Sequence, residues 1–299
     1  MPDTNIEDIG DEEEFLGSIK RLTRDLKNAS VTLSDREARF LVDAFYAMQR
    51  DRIRAGHQNR TLNENAEPHD VLTWLQAQRN TLEKQISRAL DAYSDGLLIG
   101  RWARSQIGIG PIISAGLACH IDIKHAPTVG HIWRFAGLDP TVVWKAGQKR
   151  PWNGSLKRLC FLIGESFVKV SGNENAVYGL AYTTRKAREI EKNERGDFKD
   201  QAEKALKEKK WGDDTQAKKH YEAGRLPPAR IHMRAKRWAV KLFLSNYHEV
   251  LYFSTFGKLP PLPYIMAKDP LLHTHFVEPP NADMVPGLSE ARRAFWAKR

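Results

Sequence analysis

Apolar residues recur at three- and four-residue steps through most of this chain, and no stretch alternates at the two-residue step of a sheet strand. That periodicity limits the fold to a mainly α class. Ser34-Asp35-Arg36-Glu37 has the form of a capping box, in which hydroxyl and carboxylate satisfy the first free helix amides. Phe40, Leu41, Ala44, Phe45 and Met48 follow on one face, predicting a helix to about Arg54 and a polar loop over 57–67. Pro68 opens the next helix, with Val71, Leu75, Leu82, Ile86, Leu90 and Tyr93 along one side. Two long helices so close in sequence predict a helical hairpin or coiled-coil arm.

A compact module follows. Gly108-Ile109-Gly110-Pro111 reads as a tight turn that starts a helix ending near Cys119. Val129 to Ala136 reads as a short helix, and Thr141 to Trp144 as a strand or extended loop. Asn153-Gly154-Ser155 caps a helix with Leu156, Leu159, Cys160, Ile163 and Phe167 inward. Residues 175–225 read as charged, exposed helices. Pro227-Pro228 opens a long helix from about Ala229 to Phe253. Seven prolines between 257 and 287 predict an extended tail, and Ser289 to Lys298 a short last helix. The expected organisation is an acidic, disordered tail (1–33), a helical arm (34–105), a helix-hairpin-helix domain (106–172), a charged helical region with a long basic helix (173–256) and a Pro-rich tail (257–299).

Charge narrows the partner. The chain of 299 residues has 47 Lys and Arg against 37 Asp and Glu. Seven of those acids, and no base, fall in the first fourteen residues, so the remainder carries 47 against 30, a net of +17. A body this basic favours a polyanion, nucleic acid first. The longest nearly apolar run, Ile107 to Ala118, is twelve residues with three Gly and a Pro, too short to span a bilayer. Cys119 and Cys160 alone make neither a disulfide framework nor a thiolate metal site, which fits a reducing cytoplasm.

Three segments are candidate phosphate contacts. Gly108 and Gly110 allow backbone angles other residues resist, and Pro111 starts a helix whose free amides and dipole favour an anion. Lys145, Lys149 and Arg150, bracketed by Trp144 and Trp152 and followed by Lys157 and Arg158, combine cations with stacking surfaces. Arg230, Arg234, Arg237 and Lys241 fall within about 60° of one another on the long helix, a single-file stripe suited to a phosphate backbone. Each has a plainer reading: a packing turn, core tryptophans with a basic rim, a solvated helix face. Other features carry less. His273-Thr274-His275 lacks companion metal ligands. His120 and Asp122 read as capping residues, Tyr178 and Tyr182 as core or rim rather than recombinase nucleophiles, and the acids at 11–14 have no scaffold for a nuclease metal. No cofactor or metal is expected.

Residues 70–170 resemble the insertion-sequence transposases of the one-ten, one-sixteen and nine-zero-two group. Four pieces in order carry the resemblance: the helix before the turn; Gly108-Ile109-Gly110-Pro111 with its small-residue helix; Phe135-Ala136-Gly137-Leu138-Asp139-Pro140; and Lys145 to Lys149, followed by the basic helix around Leu156-Lys157. The resemblance implies DNA recombination. Family members join a nuclease-like domain with acidic metal ligands to a domain whose serine attacks a DNA phosphodiester, and many use a structured RNA guide. This sequence departs in two respects. The residues before 70 have no spaced carboxylates or strands, so the nuclease-like half is not expected. The family's serine falls on Ala146, before Gly147, leaving Ser155 as the nearest hydroxyl and a weak catalytic candidate. The expectation is a transposase-like DNA-binding protein that does not perform strand transfer alone. Three alternatives stay open: a recombinase active with a partner, a structured-RNA-binding module, and a helical assembly protein that self-associates through its long helices.

Overall fold

In the computed structural model, residues 22–65, 69–208, 210–212, 214–262 and 277–297 are described. Twelve α-helices order these residues, with no strand among them. They are α1 (Arg24–Ala29), α2 (Asp35–Glu64), α3 (Asp70–Gly96), α4 (Leu98–Arg104), α5 (Pro111–His120) and α6 (Val129–Phe135). Then come α7 (Gly154–Lys169), α8 (Val177–Glu194), α9 (Lys199–Glu208), α10 (Gln216–Glu222), α11 (Pro228–Phe256) and α12 (Leu288–Trp296).

α2 starts at the capping box: Ser34 Oγ accepts from the Glu37 amide at 3.3 Å, and Glu37 Oε2 accepts from the Ser34 amide at 2.8 Å. It runs ten residues past the expected end. The polar stretch after Arg54 stays helical because α3 lies antiparallel beside it. Arg52 pairs with Glu83 at 2.6 Å and Asp51 with Arg79 at 2.7 Å, and Asn59 Nδ2 donates to the Leu72 carbonyl at 3.3 Å. The two ion pairs hold α3 against α2 just before the polar stretch, and Asn59 carries the contact into it. The expected helix start at Pro68 lies outside the described residues; His69 caps α3 instead, its Nδ1 accepting from the Val71 amide.

Residues 22–33, which fall in the tail expected to be disordered, are ordered. Leu22 donates its amide to Gln85 Oε1 at 2.8 Å, and Thr23 caps α1. Val31 fills the space beside Gly96, where a Cβ would stand 2.7 Å from its Cγ1.

α11 is the axis of the molecule. Ala235, Ala239, Phe243, Leu244, Tyr247 and Val250 are buried along it. Phe243 sits among aromatic rings, with centroids 6.0 Å from Trp102, 5.6 Å from Phe167 and 5.1 Å from Tyr178. Trp238 and Leu242, toward the edge of this buried face, are only half-buried. Tyr178 is buried and accepts from Asn246, and Tyr182 pairs with His232 Nδ1 at 2.7 Å; both are packing residues. The region 175–225 is not uniformly exposed: Phe198, Ala202, Tyr221, Leu226 and Ile231 form a small core of their own.

The expected divisions at 105/106 and 172/173 cut through shared cores. α5 packs its Ile112, Ala115 and Cys119 with α2 and α3, while its Leu117 joins α4, α7, α8 and α11. α5 lies antiparallel to α7, since a Cβ on Gly116 would meet Leu159 and one on Gly108 would meet Ser166 and Val170.

Candidate nucleic-acid interface

The site is built on the turn after α6. Gly137, at φ +65°, closes that helix, and the Leu138 amide donates back to the Trp133 carbonyl at 2.8 Å. A Cβ here would stand 2.9 Å from both Trp152 Cγ and Lys157 Cδ. Glycine therefore serves the left-handed angle and the close seating of an indole and a lysine stem. Asp139 Oδ1 accepts from the Thr141 amide and hydroxyl at 2.9 and 2.7 Å, starting an extended loop. The loop reverses at Gly147 (φ +86°), where Trp144 Nε1 donates to the Gln148 carbonyl at 2.8 Å. It returns along α6, where the Asn153 amide donates to the Phe135 carbonyl at 2.9 Å.

Two cations ride on the two indoles this loop brings together. The Trp144 and Trp152 rings meet edge-on at 6.0 Å, with the Arg150 guanidinium 5.7 Å from the first and Lys157 Nζ 3.8 Å from the second. Both indoles are half-buried in the loop, not core residues with a basic rim. α11 supplies more charge from the other side. Lys241 Nζ lies 4.3 Å from the Trp133 ring, whose Nε1 donates to the Lys241 carbonyl. Burial first, then Arg150 and Arg237, hold the Lys157 ammonium below its ordinary value. Burial also lowers Lys241, with Arg237 adding to the shift and Asp139 opposing it. Burial, Arg234 and Arg230 lower Arg237. The chain thus gathers mutually repelling cations on one surface. Lys145, Lys149, Arg150, Lys157, Arg237 and Lys241 make no ion pair among the described residues. An anion docked there would relieve the repulsion.

Other sequence-selected residues fall elsewhere. Arg234 is spent internally: its Nε pairs with Glu189 at 2.6 Å, and Arg185 holds the same carboxylate at 2.5 Å. Glu189 is 1% exposed. Burial would raise this carboxyl, but the two guanidiniums outweigh it and leave it below its ordinary value. Arg230 lies over Tyr221, 5.9 Å from its centroid. The stripe is straight, but its first half faces α8, α9 and α10 and only Arg237 and Lys241 reach the tryptophan loop. Arg158 turns away, 4.9 Å from the Tyr46 ring on α2. Ser155 is exposed on the first turn of α7, in a small cavity with Asp43, Tyr46, His120 and Arg158, and its hydroxyl makes no hydrogen bond among the described residues. The helix cap is Asn153, whose Oδ1 accepts from the Leu156 amide at 2.8 Å.

Gly108 has the expected left-handed angle, φ +99°, and its carbonyl accepts from Ser166 Oγ. Gly110 heads α5 without a side-chain cap. This turn meets the far end of α7, nine residues or about 14 Å along the helix from Lys157. The two groups of candidates therefore do not share one groove.

Sequence reading missed a cleft of about 460 Å³ beside the basic loop. Arg39, His120, Asp122, His125, His131 and Arg134 surround an apolar floor of Ile121, Ala126, Ile132 and Phe135. Arg39 Nε donates to the Cys119 carbonyl at 2.6 Å, a contact spanning eighty residues that no local pattern announces. Asp122 caps the turn at 123–125 as expected, accepting from the Lys124 amide and pairing with His125 Nδ1 at 2.8 Å. His120, by contrast, caps nothing; it is buried, and that burial followed by Arg39 lowers its basicity against the pull of Asp43.

No group of three or more metal-ligating side chains occurs among the described residues, and no described helix is long and apolar enough to cross a membrane. His273 and His275 lie outside the described residues. Compared with family models, curated proteins and solved structures, the chain has no significant match.

Proposed function

We propose that this chain binds duplex DNA through the surface formed by the 145–150 loop, Lys157, Arg237 and Lys241. In this reading it is a transposase-like protein of DNA transposition or recombination that does not perform strand transfer alone. The observation that carries the reading is the assembly, from segments some ninety residues apart, of six cations that make no ion pair among the described residues. Contacts of this kind position a protein on phosphates and carry no sequence information directly. The half-buried Trp144 and Trp152 favour a second reading, structured RNA with unpaired bases, because indole faces stack on bases of any sequence.

A labelled mixed-sequence duplex titrated across a salt series, with structured RNA as competitor, tests both. Binding at micromolar concentration or tighter, with a steep salt dependence and DNA preferred, is the expected result. Preference for RNA would shift the reading to the second. No binding at low salt by folded protein would end both and leave a helical assembly protein, which light scattering would reveal as a stable oligomer.

A further inference from the structure

We propose that the cleft between α2, α5 and α6 receives one unpaired nucleotide of a bound strand, its base on the apolar floor and its phosphate between Arg39 and Arg134. The proposal rests on the DNA-binding reading and adds a base-sized site to it. Three observations support this occupant. The first is size and lining: about 460 Å³ with a floor of Ile121, Ala126, Ile132 and Phe135 suits a planar ring system. The second is charge. Two guanidiniums edge the cleft, and its one carboxylate, Asp122, is engaged with the Lys124 amide and His125. The third is continuity. Phe135 and Pro151 line both this cleft and the shallower one formed by Lys149, Arg150, Trp152 and Asn153. A strand bound on the basic surface would thus reach the cleft mouth at these two shared residues. Phe135 stands there 43% exposed, an aromatic face that packing does not use.

The imidazoles suit a base edge. His120 is buried and, with its basicity lowered by burial and Arg39, neutral near pH 7, so its ring can donate at one nitrogen and accept at the other. His131 is held through Nδ1 to Thr128 Oγ at 2.9 Å, leaving Nε2 for a ligand. Extruding a base costs unstacking and unpairing in paired DNA, and least where it is already unpaired. The cleft should therefore discriminate between paired and bulged duplexes.

The test compares a paired duplex with the same duplex carrying a single bulged 2-aminopurine, at one salt concentration. Wild-type protein should bind the bulged form about tenfold more tightly and change the 2-aminopurine fluorescence on binding. Phe135→Ala should bring the affinity ratio to about one and abolish the fluorescence change; Phe135→Tyr should retain both. Equal affinity for the two duplexes, or a ratio unchanged by Phe135→Ala, overturns the proposal. If neither duplex binds, the DNA reading fails separately, and dAMP titrated against histidine NMR signals decides the cleft. Shifts in the imidazole signals that Phe135→Ala removes support it, and their absence overturns it.

Discussion

Gly137 shows how one residue sets the chemistry of a surface. Its left-handed angle ends α6, and its missing side chain admits Trp152 and the stem of Lys157. Gly137→Ala introduces strain at φ +65° and a Cβ 2.9 Å from both neighbours, so one of them must move. The expected loss is about 1–2 kcal/mol of stability. Duplex affinity should fall in the same variant as Lys157 leaves the indole, and a far-UV spectrum should show the helices intact. A variant with wild-type affinity would mean that the Lys157–Trp152 contact has no part in binding. The glycine, its turn and the tryptophans were legible in the sequence. That the indole packs on the glycine was not, because Gly137 and Trp152 meet only when the loop folds back along α6.

At the scale of the element, α11 does two things with one stripe. Its first half holds Arg234 in a buried pair with Glu189; its second half presents Arg237 and Lys241 to the tryptophan loop. Helical spacing placed all four basic residues together and could not distinguish them, because spacing defines a face and not its neighbours. The halves should separate on mutation. Arg234→Ala leaves a buried carboxylate with one guanidinium in place of two, costing about 2–3 kcal/mol. That corresponds to a fall in Tm of roughly 5 °C. The paired change Arg237→Ala and Lys241→Ala should leave Tm nearly unaltered and reduce the slope of log affinity against log salt by about two. The reverse pattern, with Arg234 governing the slope, would return the stripe to a single contact surface. α2 gives the same lesson in another form. Its polar end reads as loop in isolation and is helix because α3 supplies the partners.

For the molecule as a whole, buried histidines set an acid limit on stability. His248 Nε2 lies 2.8 Å from the Ala126 carbonyl, tying α11 to the turn before α6. Burial lowers its basicity despite that carbonyl, and burial and Arg39 lower that of His120. A histidine with a folded pKa below its ordinary 6.5 binds fewer protons than in the unfolded chain. Its share of stability is complete above pH 6.5 and declines as the pH falls below it. Thermal unfolding should therefore occur at lower temperature at pH 5.5 than at 7.5. His248→Gln, which keeps a donor for Ala126, should flatten that dependence. An identical slope in the variant would place the effect elsewhere. At this scale α5 contributes to two cores at once, one of them shared with helices on the far side of the expected boundary at 105/106.

Periodicity, capping signals and punctuation by Gly and Pro determined the helical class, most helix starts, the excess of basic charge and the loop that carries it. These depend on residues within a few positions of one another, and local chemistry records them. Tertiary structure alone decided which cations make no ion pair among the described residues, that Gly108 and Gly110 lie at the far end of α7, and that Arg39 and Arg134 share a cleft. Each of those facts depends on contacts between residues that the sequence holds tens of positions apart, where helix packing and burial, not spacing, choose the neighbour.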